Sequence, residues 1–227
     1  MRGLHFKLRL PLAFLAALLS TQRAMSGEQW SAGVSGGAAL TDLMGRISGY
    51  RMSGHSEAKR FTVGPILEIR LPPWFAAEFS ALYRRAGFTF QYMASIQNVT
   101  SRVRANSWEF PMLFKYYMGG RNAVARPYVS GGYVLRFLSN AQLARYTAPL
   151  PGFPPPPIYH GAYWLDSNPS QGMAIGGGLS LKAGPVHIAP EIRYTRWFTV
   201  PFDTYGSHGF TVQSARDQVD LLVAVTF

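Results

Sequence analysis

An eight-stranded, antiparallel, up-and-down β-barrel that crosses a membrane is the all-β fold predicted by this sequence. Three observations predict it. Almost everything after residue 27 alternates with period two rather than at helical spacing. One face of the alternation is apolar and aromatic, while the other holds small residues and charges of both signs. The links between the predicted strands are alternately long and short, as when tight turns lie at one end of a barrel and long loops at the other.

The chain begins with Arg2, Lys7 and Arg9, then "LPLAFLAALL", a run without charge, and then "TQRAMS". Ala24 and Ser26 fit the small-residue pattern of a cleavage site, so residues 1–26 read as a secretory signal peptide. The run is too short to span a bilayer as a helix. Residues 27–227 then form one barrel domain. No later segment has the apolar length of a transmembrane helix.

Strands are predicted at 29–43, 59–70, 75–90, 103–118, 124–138, 171–182, 186–199 and 215–227. The short links are "LPPW" (71–74), "GGRNA" (119–123) and "AGP" (183–185). The long ones are 44–58, 91–102, 139–169 and 200–214. Several strands exceed the ~9–11 residues needed to cross a bilayer at a tilt, so they project beyond it on the loop side. Pro65, Pro111, Pro127 and Pro190 fall inside strands, where proline removes a ladder donor, and bulges that shift the phase are expected near them.

"WEFPMLFKYY" (108–117) shows the two faces within one strand: Trp108, Phe110, Met112, Phe114 and Tyr116 alternate with Glu109 and Lys115. The apolar face continues through Trp30, Val34, Phe61, Val63, Phe75, Phe79, Val129, Phe137, Ile175, Ile192, Leu221 and Val223. The opposite face gathers Glu68, Arg70, Glu78, Arg84, Glu109, Lys115, Arg136, Lys182, Glu191, Arg193 and Asp220, which are nearly balanced in sign. The interior of eight strands is just wide enough for side chains, so this face predicts a polar lumen plugged by a paired charge network. The rings belong outside, facing lipid, and closure of the sheet satisfies the backbone where lipid offers no hydrogen bonds.

The composition agrees. Of 227 residues 48% are hydrophobic, 14% aromatic and only 15% charged, against roughly 25% charged in a soluble domain. The absence of cysteine excludes disulfides and thiolate metal sites. The formal charge of +11 falls to +7 without the leader, and the bases are scattered with no long run, which argues against nucleic acid.

"FTVGPILEIRLP", "EFSALYRRAGF", "WEFPMLFKYY", "ARPYVSGGYVLRF" and the terminal "LLVAVTF" resemble the small outer-membrane β-barrel family, the eight-stranded OmpA- and OmpX-like barrels, over residues 28–227. The resemblance implies a bacterial outer-membrane location and no cofactor. Leu221, Val223, Val225 and Phe227 look like the C-terminal signal read by the outer-membrane assembly machinery. The peptidoglycan-binding domain of the longer OmpA-type proteins has no counterpart after Phe227.

Catalytic signals are sparse. The five histidines lack metal-ligand spacing, and Ser207 beside His208 is the nearest approach to a hydrolase pair. The expected role is therefore structural or one of surface interaction, not enzymatic. A narrow small-solute channel and a lipid A-modifying hydrolase remain as alternatives. "APLPGFPPPPIYHG" (148–161) predicts a stiff polyproline II stretch that would suit an external partner.

Carrying the alternation outward from Tyr83, Trp108, Tyr194 and Phe61 puts Arg85, Arg102, Arg104, Arg196 and Lys59 on the outer face at the loop end. An outward arginine costs ~2–4 kcal/mol at the bilayer midplane and close to nothing at the interface, so these positions belong at the rim. Guanidinium groups bind phosphate in bidentate fashion. All five are thus expected to contact lipopolysaccharide, with Arg85, Arg102 and Arg104 clamping a lipid A phosphate.

Overall fold

The structure is a computed structural model that describes residues 30–49, 52–71, 73–94, 97–120, 123–205 and 210–227. The predicted leader lies outside the described residues. Eight antiparallel strands close a barrel. They are β1 (Trp30–Ala39, upper part Met44–Gly49), β2 (upper part Met52–Ser56, then Phe61–Leu71), β3 (Phe75–Ser80, then Leu82–Ala94) and β4 (Gln97–Tyr117). They continue with β5 (Ala125–Thr147), β6 (upper part Tyr159–Ala162, then Ser170–Ala183), β7 (Val186–Trp197, upper part Asp203–Tyr205) and β8 (upper part Phe210–Ser214, then Asp217–Thr226). Each strand pairs with the next, and β8 returns to β1 in the register Gly36↔Val223, which closes the ladder.

Strand ends meet across the predicted short links, at Leu71↔Phe75 at the base of β2 and β3 and at Ala183↔Val186 at the base of β6 and β7. The predicted long loops contain much strand. β3 and β4 stay paired up to Ala94↔Gln97, and β5 runs to Thr147. The upper parts build a crown in which the order is β7, β8, β1, β2, β3, β4, β5, β6, with Tyr159–Ala162 and Asp203–Tyr205 at its two ends. The side-chain period continues there, but its polarity reverses above the barrel, which hides these strands from the alternation of apolar residues.

The barrel is apolar outside. Phe114, Ile175, Ile192, Phe61 and Phe75 are exposed on its surface, and every alternation in the predicted apolar face points outward. From Trp108 to Tyr116 this belt covers about 26 Å of tilted strand at ~3.3 Å per residue. Aromatic pairs edge it at both ends: Tyr83 with Trp108 at 5.2 Å toward the crown, and Phe75 with Tyr116 at 5.4 Å toward the turns. Such girdles mark the two interfaces of a bilayer.

The prolines do not shift the phase. Pro65 pairs with Val34 in unbroken register and its carbonyl accepts from the Ala81 amide at 3.1 Å. The β3–β4 register runs through Phe79↔Met112 and Leu82↔Glu109, which sets Pro111 opposite Ser80. Two residues without a donor thus flank the one break in β3. Pro127 pairs with Leu179, and the β6–β7 ladder skips from Gly178↔Glu191 to Leu181↔Ile188, where Pro190 would face Leu179. Ladder bonds are lost in matched pairs while the alternation survives.

A phase shift does occur at Asn140. Arg104 pairs with Gln142 but Asn106 with Ser139, so β5 carries one extra residue, and Asn140 has φ of 53°. Asparagine tolerates this left-handed conformation better than most residues. The bulge lets both Leu138 and Leu143 point inward. Close backbone approach explains Gly132, where a Cβ would lie 2.1 Å from the Met112 carbonyl oxygen.

The crown interior is an apolar core. Leu43, Phe88, Phe90, Val103, Leu138, Leu143, Phe202 and Val212 are buried together, with Tyr163 and Leu165 packed against them. Phe88 contacts Phe202 at 5.0 Å and Tyr163 at 5.8 Å. This core roofs the barrel.

Candidate functional site

Two sets of polar residues stand out: the lumen beneath the apolar roof, and the outer rim of the crown. The lumen charges form two clusters. In the upper one Glu109 accepts from Arg84 and from Arg136, the latter at 3.0 Å, across the β4–β5 pair Glu109↔Arg136. Gln218 joins them. It accepts from Arg136 and from the Trp197 indole at 3.1 Å, and donates to Glu109 at 3.2 Å and Asp220 at 2.6 Å. The Arg136 guanidinium lies 3.7 Å from the Trp197 ring centroid. In the lower cluster Lys115 bridges Glu68, at 3.0 Å, and Glu78. Arg193 links Glu78 at 3.0 Å to Glu191 at 2.7 Å. Tyr117 donates to Glu68 at 2.8 Å and Tyr128 to Glu191 at 2.9 Å, while Arg70 closes the bottom on Glu68 at 3.3 Å.

Each cluster is neutral: Arg84 and Arg136 balance Glu109 and Asp220, and Lys115, Arg193 and Arg70 balance Glu78, Glu191 and Glu68. Desolvating a charge costs several kcal/mol unless a partner and further hydrogen bonds compensate, so this matching is what permits the burial. Arg136, Lys115, Glu78, Tyr128 and Trp197 are all fully buried, and they fill the cross-section. Ten of the eleven charges predicted for the lumen lie in the network. Lys182 does not: it is exposed beside the turn that ends β6, where the alternation runs out of barrel. Gln218, Trp197, Tyr117 and Tyr128 also belong to the network, and the pattern of charges does not name them. Their inward alternation was available as a signal, but polarity alone does not pick out a tyrosine or a tryptophan as a partner for charge.

The rim carries the opposite arrangement. Above the girdle, the outer face of β2 to β4 carries Lys59, Arg85, Arg102 and Arg104 against Glu57 alone. The Lys59 amide donates to the Arg85 carbonyl at 2.9 Å, and the Glu57 amide to the Gly87 carbonyl at 2.8 Å, which pins this part of β2 to β3. Arg104 faces Gly87 across the β3–β4 pair. Lys59, Arg85 and Arg104 then line a groove of about 480 Å³ with Glu57. Among the described residues none of these three cations is ion-paired. Arg102 differs, since Glu57 holds it at 2.9 Å and Thr89 adds a hydrogen bond to the same carboxylate at 2.5 Å. Burial pushes the Glu57 carboxyl up, but Thr89 and Arg102, with the nearby charge of Arg104, outweigh it and leave it below its ordinary value. Arg196 stands on β7, away from this groove, and pairs with Asp217 through both carboxylate oxygens at 2.6 Å.

At the C-terminus Leu221, Val223, Val225 and Phe227 share the outer face of β8, and the Phe227 amide donates to Ala32 at 3.0 Å. Ser207 and His208 lie outside the described residues. Among the described residues no cluster of histidine, aspartate and glutamate has the makings of a metal site.

No protein-family model matches the chain, and no curated protein matches it. Solved structures do. Neisserial surface protein A (NspA) aligns at 13% identity over 87% of this chain and 94% of its own, with a TM-score of 0.41. The N-terminal β-barrel domain of Pseudomonas aeruginosa OprF aligns at 11%, over 87% and 97%, at 0.34. Ail, the attachment invasion locus protein of Yersinia pestis, aligns at 11%, over 88% and 99%, at 0.33. The closed ladder of eight antiparallel strands, apolar outside and charged within, is the fold of the small outer-membrane barrels of bacteria.

Proposed function

We propose that the protein is an integral outer-membrane barrel that conducts nothing and acts through its crown, held in the outer leaflet by lipopolysaccharide. The contrast between a neutral, filled lumen and an unpaired cationic rim carries this reading. A conducting pore needs a continuous polar path, and here ten matched charges with Trp197 and Tyr128 occupy that path beneath an apolar roof. The rim groove of Lys59, Arg85 and Arg104 sits just above the Tyr83–Trp108 girdle, the level at which the phosphates of an outer-leaflet glycolipid lie. Phosphate suits it because three cations converge there with one carboxylate, itself taken up by Arg102. Delivery to that membrane would use the leader at 1–26 and recognition of Leu221, Val223, Val225 and Phe227 by the assembly machinery.

Two measurements test the reading. In planar bilayers the unmodified protein gives no steady single-channel current, and large steady currents would refute the plug. Purified in detergent, it melts at a higher temperature when lipid A is added. The triple variant K59Q/R85Q/R104Q loses that increment and keeps its melting temperature in plain detergent. Equal increments in both proteins would refute the phosphate site.

A further inference from the structure

Higher on the same face lies a second groove, of about 850 Å³, lined by Arg102, Arg104, Gln142, Ala144, Tyr146 and His160 among others. It is formed on the outer face of the three-stranded crown sheet of β4, β5 and the upper part of β6. The ladder sets its residues in rows: Arg102, Ala144 and His160 in one, Arg104, Gln142 and Ala162 in the next. Ala144 and Ala162 are small, which makes the hollow, and the longer side chains form its walls. The Asn140 bulge shifts the phase of β5 so that Gln142, Ala144 and Tyr146 face outward here rather than into the core.

We infer that this trough binds an anionic oligosaccharide, namely the phosphorylated core sugars of the same lipopolysaccharide whose lipid A phosphate the rim groove takes. The inference rests on the proposed rim site and extends it. Three features carry it. The lining has no acidic residue, Arg104 and His160 supply donors for phosphate and carboxylate, and Arg102 adds only the guanidinium donors that Glu57 leaves free. Asn140 and Gln142, joined by a 3.0 Å hydrogen bond, offer amides to hydroxyl groups, and the exposed ring of Tyr146 offers a flat apolar surface to a pyranose face. Arg104 lines both grooves, so the trough begins where the rim site ends and leads away from the apolar belt. Sugars attached to a lipid whose phosphates sit at the rim must follow that direction. The volume lies within the ~300–1,000 Å³ usual for small-ligand sites. A peptide adding as an extra strand would use the edge of a sheet, whereas this surface is a face.

The test uses the full-length barrel in detergent micelles and three probes: lipid-free phosphorylated core oligosaccharide, the same oligosaccharide dephosphorylated, and lipid A. Calorimetry reads the sugars and thermal melting reads lipid A. Ala144→Phe fills the floor without changing charge. It is expected to weaken the phosphorylated oligosaccharide by about tenfold or more while the lipid A increment stays unchanged. His160→Gln, on the far wall, weakens the sugar in the same direction. K59Q/R85Q does the reverse, removing the lipid A increment and sparing the oligosaccharide. Equal binding by the wild type and A144F, equal binding of the dephosphorylated probe, or no oligosaccharide binding beside a normal lipid A increment would each overturn the trough and leave the rim site standing. Tighter binding of a sulfated glycosaminoglycan fragment than of the core sugars would overturn the assignment to the protein's own membrane. Loss of the lipid A increment in the wild type, with the oligosaccharide still bound, would instead overturn the rim site.

Discussion

Glu109→Gln is the sharpest probe of the lumen. Glu109 receives Arg84, Arg136 and Gln218, and its only carboxylate neighbour in the upper cluster is Asp220. The substitution keeps shape and leaves Arg84 and Arg136 facing Asp220 with one positive charge unmatched, all within a filled interior. Removing one partner of a buried pair costs about 3–5 kcal/mol, and that is the expected loss of stability. Arg136→Gln leaves one negative charge unmatched and should cost a similar amount. The double variant restores neutrality, with Arg84 opposite Asp220 and two amides opposite each other at the Glu109↔Arg136 pair. It should recover most of the loss, short of the Arg136–Trp197 stacking, which is worth roughly 0.5–2 kcal/mol. Urea unfolding from lipid vesicles at neutral pH, followed by tryptophan fluorescence, measures all three, and heat-modifiable gel mobility confirms a folded start. The reasoning fails if E109Q unfolds within about 1 kcal/mol of wild type, or if the double variant loses the sum of the singles, since coupled charges must be non-additive.

Other outcomes follow from the rim and the strands. Asn140→Gly should be tolerated, whereas Asn140→Val forces a β-branched residue into the left-handed region and should cost about 1–3 kcal/mol in the same unfolding assay. The folded Glu57 carboxyl titrates below its unfolded value, so its link to Arg102 and Thr89 stabilises the crown fully above the ordinary carboxylate range. That contribution is lost as pH falls through the lowered folded value. The protection of the Glu57–Lys59 amides against exchange, taken relative to their intrinsic rates at each pH, should fall under acid, and no such fall should occur in Glu57→Gln. Deleting Phe227 should lower the amount of barrel in the outer membrane, measured by fractionation, and leave export to the periplasm intact. Normal outer-membrane levels would reject its role as a signal.

The barrel was legible because lipid imposes one rule on all eight strands. Where Phe110, Met112 and Phe114 must face hydrocarbon, Glu109 and Lys115 are forced inward, and the alternation names the members of the network before any contact is known. What the alternation does not carry is pairing across the lumen. Glu78 meets Arg193 from the far side of the barrel, and Gln218 joins the cluster of Glu109, contacts set by shear and tilt rather than by any local pattern. Lys182 was misplaced because alternation has no end marker, and the tight turn at 184–185 exposes it. Alternation puts each rim cation on the outer face strand by strand, but the difference between Arg102 and Lys59 rests on where Glu57 sits, in a stretch without a period-two signal.

The reversal along β3 shows why the crown escaped a period-two reading and what the molecule is built for. Below the girdle its inward residues are Ala76, Glu78 and Ser80 and its outward ones Phe75 and Phe79. Above it, inward come Ala86, Phe88 and Phe90, and outward come Arg85 and Gln91, with Thr89 covered by Glu57 and Arg102. The side-chain period never breaks, since the β3–β4 register is continuous from Phe75↔Tyr116 to Ala94↔Gln97. The solvent changes instead. In hydrocarbon the exposed face must be apolar and the enclosed one can be charged only if balanced. In water the same sheet must hide its grease and show its charge. β4 reverses at the same height, with Trp108 outward below and Asn106, Arg104 and Arg102 outward above. The crossover therefore fixes the bilayer surface on the molecule to within a residue or two. It sets the rim groove of Lys59, Arg85 and Arg104 immediately on the aqueous side of that surface. The crown above carries a hydrophobic core of its own, as a water-soluble domain does, and can hold a shaped outer face far from the membrane that anchors it.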